Sequence, residues 1–212
     1  TMRGADFQVH QLLLALKAGE PFRISRALAF EATYCATAGK ASYKQSKEIL
    51  QIAKNLAEET ANPYAISLNF FLDAVIEFLN GNWQQSYELD LKAEKLLRDN
   101  CTGVQWEIDG VNVNLLHNLL FLGKLQEASE RLPILLNEAQ RRGDIYAKSI
   151  LSYRISYFLH LAADEPGKAT EELTEIAQFW ISKEFYQQHF YILLAKIETE
   201  LYQGNSQRAW DF

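Results

Sequence analysis

One short stretch of this sequence gathers side chains that could do chemistry. The segment CTGVQWEIDG, from Cys101 to Gly110, contains one of the two cysteines, a threonine hydroxyl and two acidic residues. A nucleophilic cysteine needs a base and a third group that orients the base. No sequence signature ties Cys101 to any of the four histidines, which are His10, His117, His160 and His189.

The same segment has the pattern of a helix start. Thr102 and Gln105 form a Thr-x-x-Gln capping box, in which the two side chains satisfy free backbone donors. Cys101 and Trp106 then occupy the two positions of a hydrophobic staple. The sequence therefore predicts a structural role for Cys101 and a buried Trp106 ring.

Other chemically capable residues lack a catalytic or metal-binding pattern. Asp73 and Glu77 share a helix face, but such pairs are common on helix surfaces. His189 has no second ligand three or four residues away, and no Walker lysine, GxSxG or HExxH motif is present. We predict no catalytic residue, no metal ligand and no cofactor in this region.

Composition limits the class of partner. The 212 residues include 21 basic and 27 acidic side chains, which gives a net charge of −6. The pair Arg141-Arg142 is the nearest approach to a basic cluster, so we expect no nucleic-acid partner. Charged residues interrupt the longer apolar segments, so we expect no membrane span. Cys35 and Cys101 lack metal-binding or redox spacing and fit reduced thiols in a cytoplasmic protein.

Three markers recur along the chain at a spacing of about 40 residues. The first is an aromatic residue just after a turn: Phe22, Tyr64, Trp106, Tyr146 and Tyr186. The second is a turn about 17 residues later: Gly39, Gly81, Gly123, Asp164–Gly167 and Gly204. The third is a small residue five positions beyond the turn: Ser86, Ala128, Ala169 and Ala209. A fixed period of this kind predicts a repeat protein. The repeats lie near 22–62, 64–102, 104–143, 144–183 and 185–212, the last incomplete.

Between the markers, apolar residues recur every three or four positions, which predicts an all-α fold. Glycines at the breaks are typical of helix C-terminal caps, and Asn62 before Pro63 is a candidate N-cap. Pro133 falls within a helix and should kink it near Leu132. We predict about 10 helices, at 6–18, 22–38, 42–60, 63–80, 83–99, 103–122, 125–142, 144–162, 166–182 and 185–203.

The segments Gly123 to Ala128 and Gly204 to Ala209 resemble the helix-turn-helix core of the tetratricopeptide repeat. The resemblance is degenerate, because the usual period of that repeat is about 34 residues and its tryptophan-leucine-glycine opening is absent. It implies a single domain over 1–212, built as a right-handed solenoid of antiparallel helix pairs. The unpaired helix at 6–18 and the incomplete helix at 208–212 lead us to expect a fragment of a longer chain.

Three segments resemble a narrower group: CTGVQWEID, GDIYA and EFYQQHFYILLAKIETELYQGNSQRAW. They are similar to the C-terminal helical repeats of large bacterial serine/threonine kinases that carry an ATPase module. The resemblance implies a part in bacterial signalling, although the chain itself has no Gly-rich loop, HRD or DFG motif.

A solenoid of helix pairs offers a concave wall formed by the first helix of each pair. The resemblance places these candidate groove residues on that wall: Phe71, Val75, Phe78, Val113, His117, Tyr153, Tyr157, His160 and Phe190. The alternative for each is packing between repeats. A polar stripe also recurs, as an exposed edge or a buried hydrogen-bonding row: Ser25, Ser67, Asp109, Ser149 and His189.

These observations favour a non-enzymatic protein–protein interaction scaffold or regulatory module, with a protein or peptide partner. Apolar residues near both ends, such as Leu14 and Trp210, also predict self-association. The alternative function is a small-ligand sensor that relays occupancy to an attached ATPase or kinase. An open channel would favour a peptide or protein, and a closed pocket of a few hundred cubic ångströms would favour a small ligand.

Overall fold

The computed structural model describes residues 2–181 and 184–212. Within these ranges every regular element is helical and no strand is present, as the sequence predicts. The chain divides into two compact units, Thr1–Leu122 and Gly123–Phe212.

The first unit contains six helices. They are α1 (Met2–Ala18), α2 (Pro21–Ala36), α3 (Tyr43–Thr60), α4 (Pro63–Leu79), α5 (Trp83–Asn100) and α6 (Gln105–Phe121). Helix α2 packs extensively on α3, and α4 packs extensively on α5. Helix α4 also contacts α2, α3 and α6, so it is the most enclosed helix of this unit.

The second unit contains α7 (Leu125–Arg142), α8 (Ile145–Leu151), α9 (Tyr157–Ala162), α10 (Pro166–Ala177), α11 (Gln187–Tyr202) and α12 (Ser206–Asp211). A π-helical turn, Ser152–Ser156, joins α8 and α9 into one continuous run. Helix α7 continues through Pro133. The predicted helix 166–182 ends earlier, at Ala177, and is followed by a 3-10 turn; Ser182 and Lys183 lie outside the described residues.

The helix ends follow the signals in the sequence. Gly39, Gly81, Gly123 and Gly204 all have positive φ angles, as predicted for the turns that end helices. At the equivalent turn between α9 and α10, Asp164 adopts the left-handed conformation instead, with φ of 59°. The side chain of Asn62 accepts hydrogen bonds from the backbone of Tyr64 and Ala65, which confirms the predicted N-cap.

The predicted capping box and hydrophobic staple at Cys101–Trp106 are wrong. Helix α6 begins at Gln105, and the residue before it is Val104 rather than Thr102. Gly103, with a φ of 71°, turns the chain so that Val104 enters the core. The Trp106 ring then lies on the outer side of the first turn, where 62 % of it is exposed.

The core of the first unit is rich in alanine, which allows its helices to approach closely. Ala29, Ala32, Ala36, Ala53 and Ala93 are all at most 1 % exposed, and leucine, isoleucine and valine side chains fill the space around them. One core cluster of the second unit is formed by α9, α10 and α11 together with the π turn. Its buried side chains are Tyr153, Tyr157, Leu161, Ala169, Leu173, Ile176, Ile192 and Ala195.

Candidate functional site

The candidate groove residues of the first unit fall into two groups. Phe71 is buried in the core, where its ring contacts the backbone of Gly110 so closely that an added Cβ there would lie 3.0 Å from the ring. Val75, Phe78, Val113 and His117 are half-buried on the neighbouring helices α4 and α6. The packing alternative therefore describes Phe71, whereas the other four remain accessible.

The candidates of the second unit separate in the same way. Tyr153 and Tyr157 are buried in the core of that unit, as the packing alternative describes. His160 is half-buried, and Phe190 is exposed. The helical period identified apolar faces correctly but did not distinguish the members that a neighbouring helix covers.

Four aromatic rings on α4, α5 and α6 form a continuous surface, which we call the Phe78 cluster: Phe78, Trp83, His117 and Phe121. The Phe78 ring lies 6.0 Å from the His117 ring and 5.5 Å from the Phe121 ring. Trp83 stacks on Phe121 at 4.8 Å with an interplanar angle of 23°. Although Phe121 contacts two rings, it is 53 % exposed.

The positions of these rings follow from local structure. Gly81 reverses the chain between α4 and α5, so Phe78 and Trp83 lie on opposite sides of one turn. His117 and Phe121 are four residues apart and share a face of α6. Sequence reasoning missed Trp83 and Phe121 as site residues, although the spacing of His117 and Phe121 was an available signal.

An ionic network is buried between α3 and α4. The two carboxylates, Asp73 and Glu77, are 3 % and 0 % exposed. The Lys47 ammonium contacts Asp73 and lies 2.6 Å from Glu77, and Lys54 lies 2.5 Å from Asp73. Tyr43 also donates its hydroxyl proton to Glu77, at 2.9 Å.

The charges of this network balance, since two lysines neutralise two carboxylates. Burial alone lowers the pKa of Lys47, but its bonds to Asp73 and Glu77 outweigh burial and raise that pKa above its ordinary value. Every oxygen of the carboxylate pair is thus engaged by a donor. The arrangement ties α3 to α4 and presents no free base for acid–base chemistry.

The recurring polar stripe is mainly a buried hydrogen-bonding row. Ser25 is fully buried and donates to the carbonyl of Ala53, at 2.7 Å. Ser67 and Ser149 are also fully buried, and each donates to a carbonyl one turn earlier in its own helix. The two remaining members, Asp109 and His189, are half-buried and also take part in hydrogen bonds.

A serine, a histidine and a glutamate meet in the second unit, but their bonding does not activate the serine. The Ser156 hydroxyl donates to Glu172 at 2.6 Å, and His160 Nε2 lies 3.1 Å from the same carboxylate oxygen. Since a carboxylate only accepts, Nε2 carries the proton and has no lone pair for the serine. A catalytic histidine would instead accept from the serine and donate through its other nitrogen.

Two further tyrosines of the second unit are held by α11. Tyr153 stacks on Tyr191 with ring centroids 5.7 Å apart, and the Tyr157 hydroxyl donates to Glu198. Burial raises the pKa of both Tyr153 and Tyr157, with the bond to Glu198 adding to the effect at Tyr157. Both hydroxyls therefore stay protonated at neutral pH.

Cys101 packs against the core of the first unit, and its thiol forms a hydrogen bond with Ser67 rather than with a histidine. Burial raises the pKa of its thiol, and a bond with Ser67 only partly opposes this. The protonated thiol is a weak nucleophile. The structural interpretation of Cys101 thus agrees with its surroundings, even though the staple with Trp106 does not form.

Two hollows of the first unit differ in shape. A hollow of about 710 Å³ beside Trp83 and Leu122 is broadly open to solvent. A narrow cleft of about 60 Å³ lies beside Asn69 and Phe70 and has room for little more than water. Neither is an enclosed pocket of several hundred cubic ångströms.

Across residues 2–181 and 184–212, no three histidine, cysteine or acidic side chains are arranged to hold a metal ion. In the same ranges, no helix combines the length and apolar character needed to cross a membrane. No protein-family model matches the chain, and no curated protein sequence matches it.

Proposed function

We propose that this chain is a non-enzymatic protein-interaction module that binds a protein or peptide segment through the Phe78 cluster. The observation that carries the proposal is the exposure of stacked aromatic rings on a surface formed by three helices. Aromatic side chains that are rigidly packed and yet reach solvent are the usual anchors of protein interfaces. Phe121 has this character, because Phe78 and Trp83 fix its ring while about half of it remains exposed.

We further propose that the helices pair in a tetratricopeptide-like, right-handed arrangement, which would place α4 and α6 side by side on a binding wall. Support comes from the contacts of α2 with α3 and of α4 with α5. The small residues five positions after the turns also support it, since Ser86, Ala128 and Ala169 are completely buried. Attachment to a bacterial kinase and self-association remain predictions of the sequence.

The open shape of the surface favours a polypeptide partner over a small ligand. A small ligand is usually enclosed by a concave pocket with a few convergent polar groups. The Phe78 cluster instead presents apolar rings, with His117 as its one polar member, beside an open hollow. An apolar or aromatic side chain of a helical or extended segment fits this chemistry.

Selection of peptides from a random library displayed on phage tests this function. The wild-type chain serves as bait, and the affinity of the enriched peptides is measured by fluorescence anisotropy. We expect enrichment of aromatic and large aliphatic residues, and a loss of affinity of about tenfold or more in Phe121→Ala.

Trp106→Ala is the matched control, because Trp106 is on the same helix and has a similar exposure, 62 % against 53 %. We expect this change to alter affinity less than about twofold, since Trp106 makes no ring contact within the described residues. Equal losses in both variants, or full affinity in Phe121→Ala, would rule out the Phe78 cluster as the binding surface.

A further inference from the structure

A second surface, in the second unit, carries an arginine that forms no ion pair within the described residues. The Arg154 guanidinium carbon lies 4.7 Å from the centre of the Tyr191 ring. Within the described ranges no carboxylate lies at ion-pair distance from Arg154, and its side chain is half-buried. The contact with the ring restrains the guanidinium, and its N–H groups form no hydrogen bond or ion pair with the described residues, so they can bind an acceptor.

Three carboxylates on α10 and α11 already have partners. Glu198 accepts from Tyr157, Glu172 accepts from Ser156 and His160, and Glu175 pairs with Lys148. Because Glu198 and Arg154 both influence the Tyr157 hydroxyl, the two charges lie near one another without forming an ion pair. Arg154 thus has no acidic partner within the described residues.

The turn that carries Arg154 is itself unusual. Arg154 belongs to the π-helical turn Ser152–Ser156, and such turns occur frequently at functional sites. In the same turn, the Ser152 hydroxyl is buried and has no hydrogen-bond partner. Tyr153 stacks on the same Tyr191 ring that Arg154 covers.

Apolar side chains are exposed on both helices that flank Arg154. Phe158 lies one turn further along α9, and Phe190 and Leu194 lie on α11 beside Tyr191. A partner that satisfies this surface needs a negative group for the guanidinium and apolar groups for its neighbours. An internal acidic side chain of a peptide meets both needs, because the chain continues past the carboxylate in both directions.

We propose that the surface around Arg154 and Tyr191 binds a peptide segment in which one glutamate or aspartate is flanked by apolar side chains. The guanidinium would receive the carboxylate through paired N–H donors, the geometry that arginine and carboxylate favour. A phosphate group fits less well, since phosphopeptide sites use clusters of arginines. A terminal carboxylate is also less suited, because such groups are usually captured by backbone amides.

Designed peptides test the proposal with the complete chain. The probe is acetyl-Leu-Phe-Glu-Leu-Phe-amide carrying a fluorophore on an added lysine, and its partner has Gln in place of Glu. We expect the Glu peptide to bind wild type at least about tenfold more tightly than the Gln peptide at low salt. In Arg154→Met this preference should fall below twofold, while Arg154→Lys should retain part of it.

Arg23→Met is a matched control, because Arg23 is an exposed arginine of the first unit that pairs with Glu20. It should retain the full Glu preference. If Arg154→Met fails to fold, as judged by circular dichroism, Arg154→Lys carries the test alone. Equal binding of the two peptides to wild type, or an unchanged preference in a folded Arg154 variant, would overturn the proposal. Neither result bears on Phe121→Ala, which tests the first unit.

Discussion

Replacing Glu77 by glutamine removes one charge from the buried network between α3 and α4 without opening a cavity. In the wild type, Oε1 of Glu77 accepts from Lys47 at 2.6 Å, and Oε2 accepts from Asn82 at 2.6 Å. Tyr43 lies within 3.0 Å of both oxygens. The glutamine amide would put an N–H donor where one of these oxygens accepts, so one donor loses its bond.

The size of the effect follows from the bonds that are lost. A hydrogen bond to a charged group contributes about 1.5–3 kcal/mol, and a buried donor left without a partner costs about 1–3 kcal/mol. Because Lys47 is 30 % exposed and keeps its ion pair with Asp73, the loss should lie in the lower part of the range obtained by adding these two contributions. We expect Glu77→Gln to lower the free energy of unfolding by about 2–4 kcal/mol.

Urea unfolding at pH 7, followed by tryptophan fluorescence and localised by hydrogen exchange in α3 and α4, measures this loss. Lys44→Met is the matched control on α3, since Lys44 is 90 % exposed and lies 3.9 Å from Glu48. It should change stability by less than about 0.5 kcal/mol. If Glu77→Gln were as mild as this control, the network would not hold α3 against α4.

Three further outcomes are expected. Trp106→Ala should lower the free energy of unfolding by less than about 1 kcal/mol because the side chain is exposed. Leu97→Ala, at a fully buried site, should lower it by about 2–5 kcal/mol, and the urea midpoints of the two variants measure the difference. Burial and the bond to Glu107 raise the pKa of Tyr64 to about 12, so the stability that its protonated hydroxyl contributes is complete below pH 10 and is lost as the pH rises towards 12. In Tyr64→Phe, urea unfolding at pH 9 to 12 should show a smaller loss of stability with rising pH than in the wild type. The same dependence of stability on pH in both proteins would contradict this role of Tyr64. Cys101 should react with iodoacetamide more slowly at pH 7.5 than free cysteine, because burial raises the pKa of its thiol.

Helix positions were predictable because the signals that set them are local. A cap such as Asn62 bonds to backbone groups two and three residues away, and a glycine such as Gly81 sets its own φ angle. Neither depends on which helix later packs nearby. The apolar period adds a third local signal, since it records the face that must be buried.

The start of α6 shows where such signals fail. Val104 and Trp106 are both apolar and lie within one turn of the predicted start, so sequence alone did not decide which one is buried. The choice depends on how the turn at Gly103 directs the chain towards the core formed by the other helices. That core accepts the smaller Val104 side chain, and the indole ring is left outside.

The same limit applies to the candidate site. Tyr153 and Phe190 both lie on apolar faces, yet Tyr153 is covered by Tyr191 and Phe190 remains exposed. The helical period gives the direction of a side chain but not the neighbour that it meets. No sequence pattern predicted Arg154 as a binding residue. Its ability to bind a carboxylate depends on the absence of an acidic neighbour within the described residues, which only the packing of the helices determines.

Buried polar groups give the helix packing a specificity that alanine and leucine alone would not provide. Ser25 donates to α3 and accepts from Asn69 on α4, so three helices share one hydroxyl. Ser86 repeats the arrangement, since it donates to the carbonyl of Ala74 on α4 and accepts from Asn118 on α6. A shift of any of these helices by one residue would leave buried polar atoms without partners, at a cost of about 1–3 kcal/mol each. An alanine-rich core packs almost equally well in several registers, so these serines select one of them. The Phe78 cluster depends on that selection, because its rings come from the same three helices that Ser86 joins.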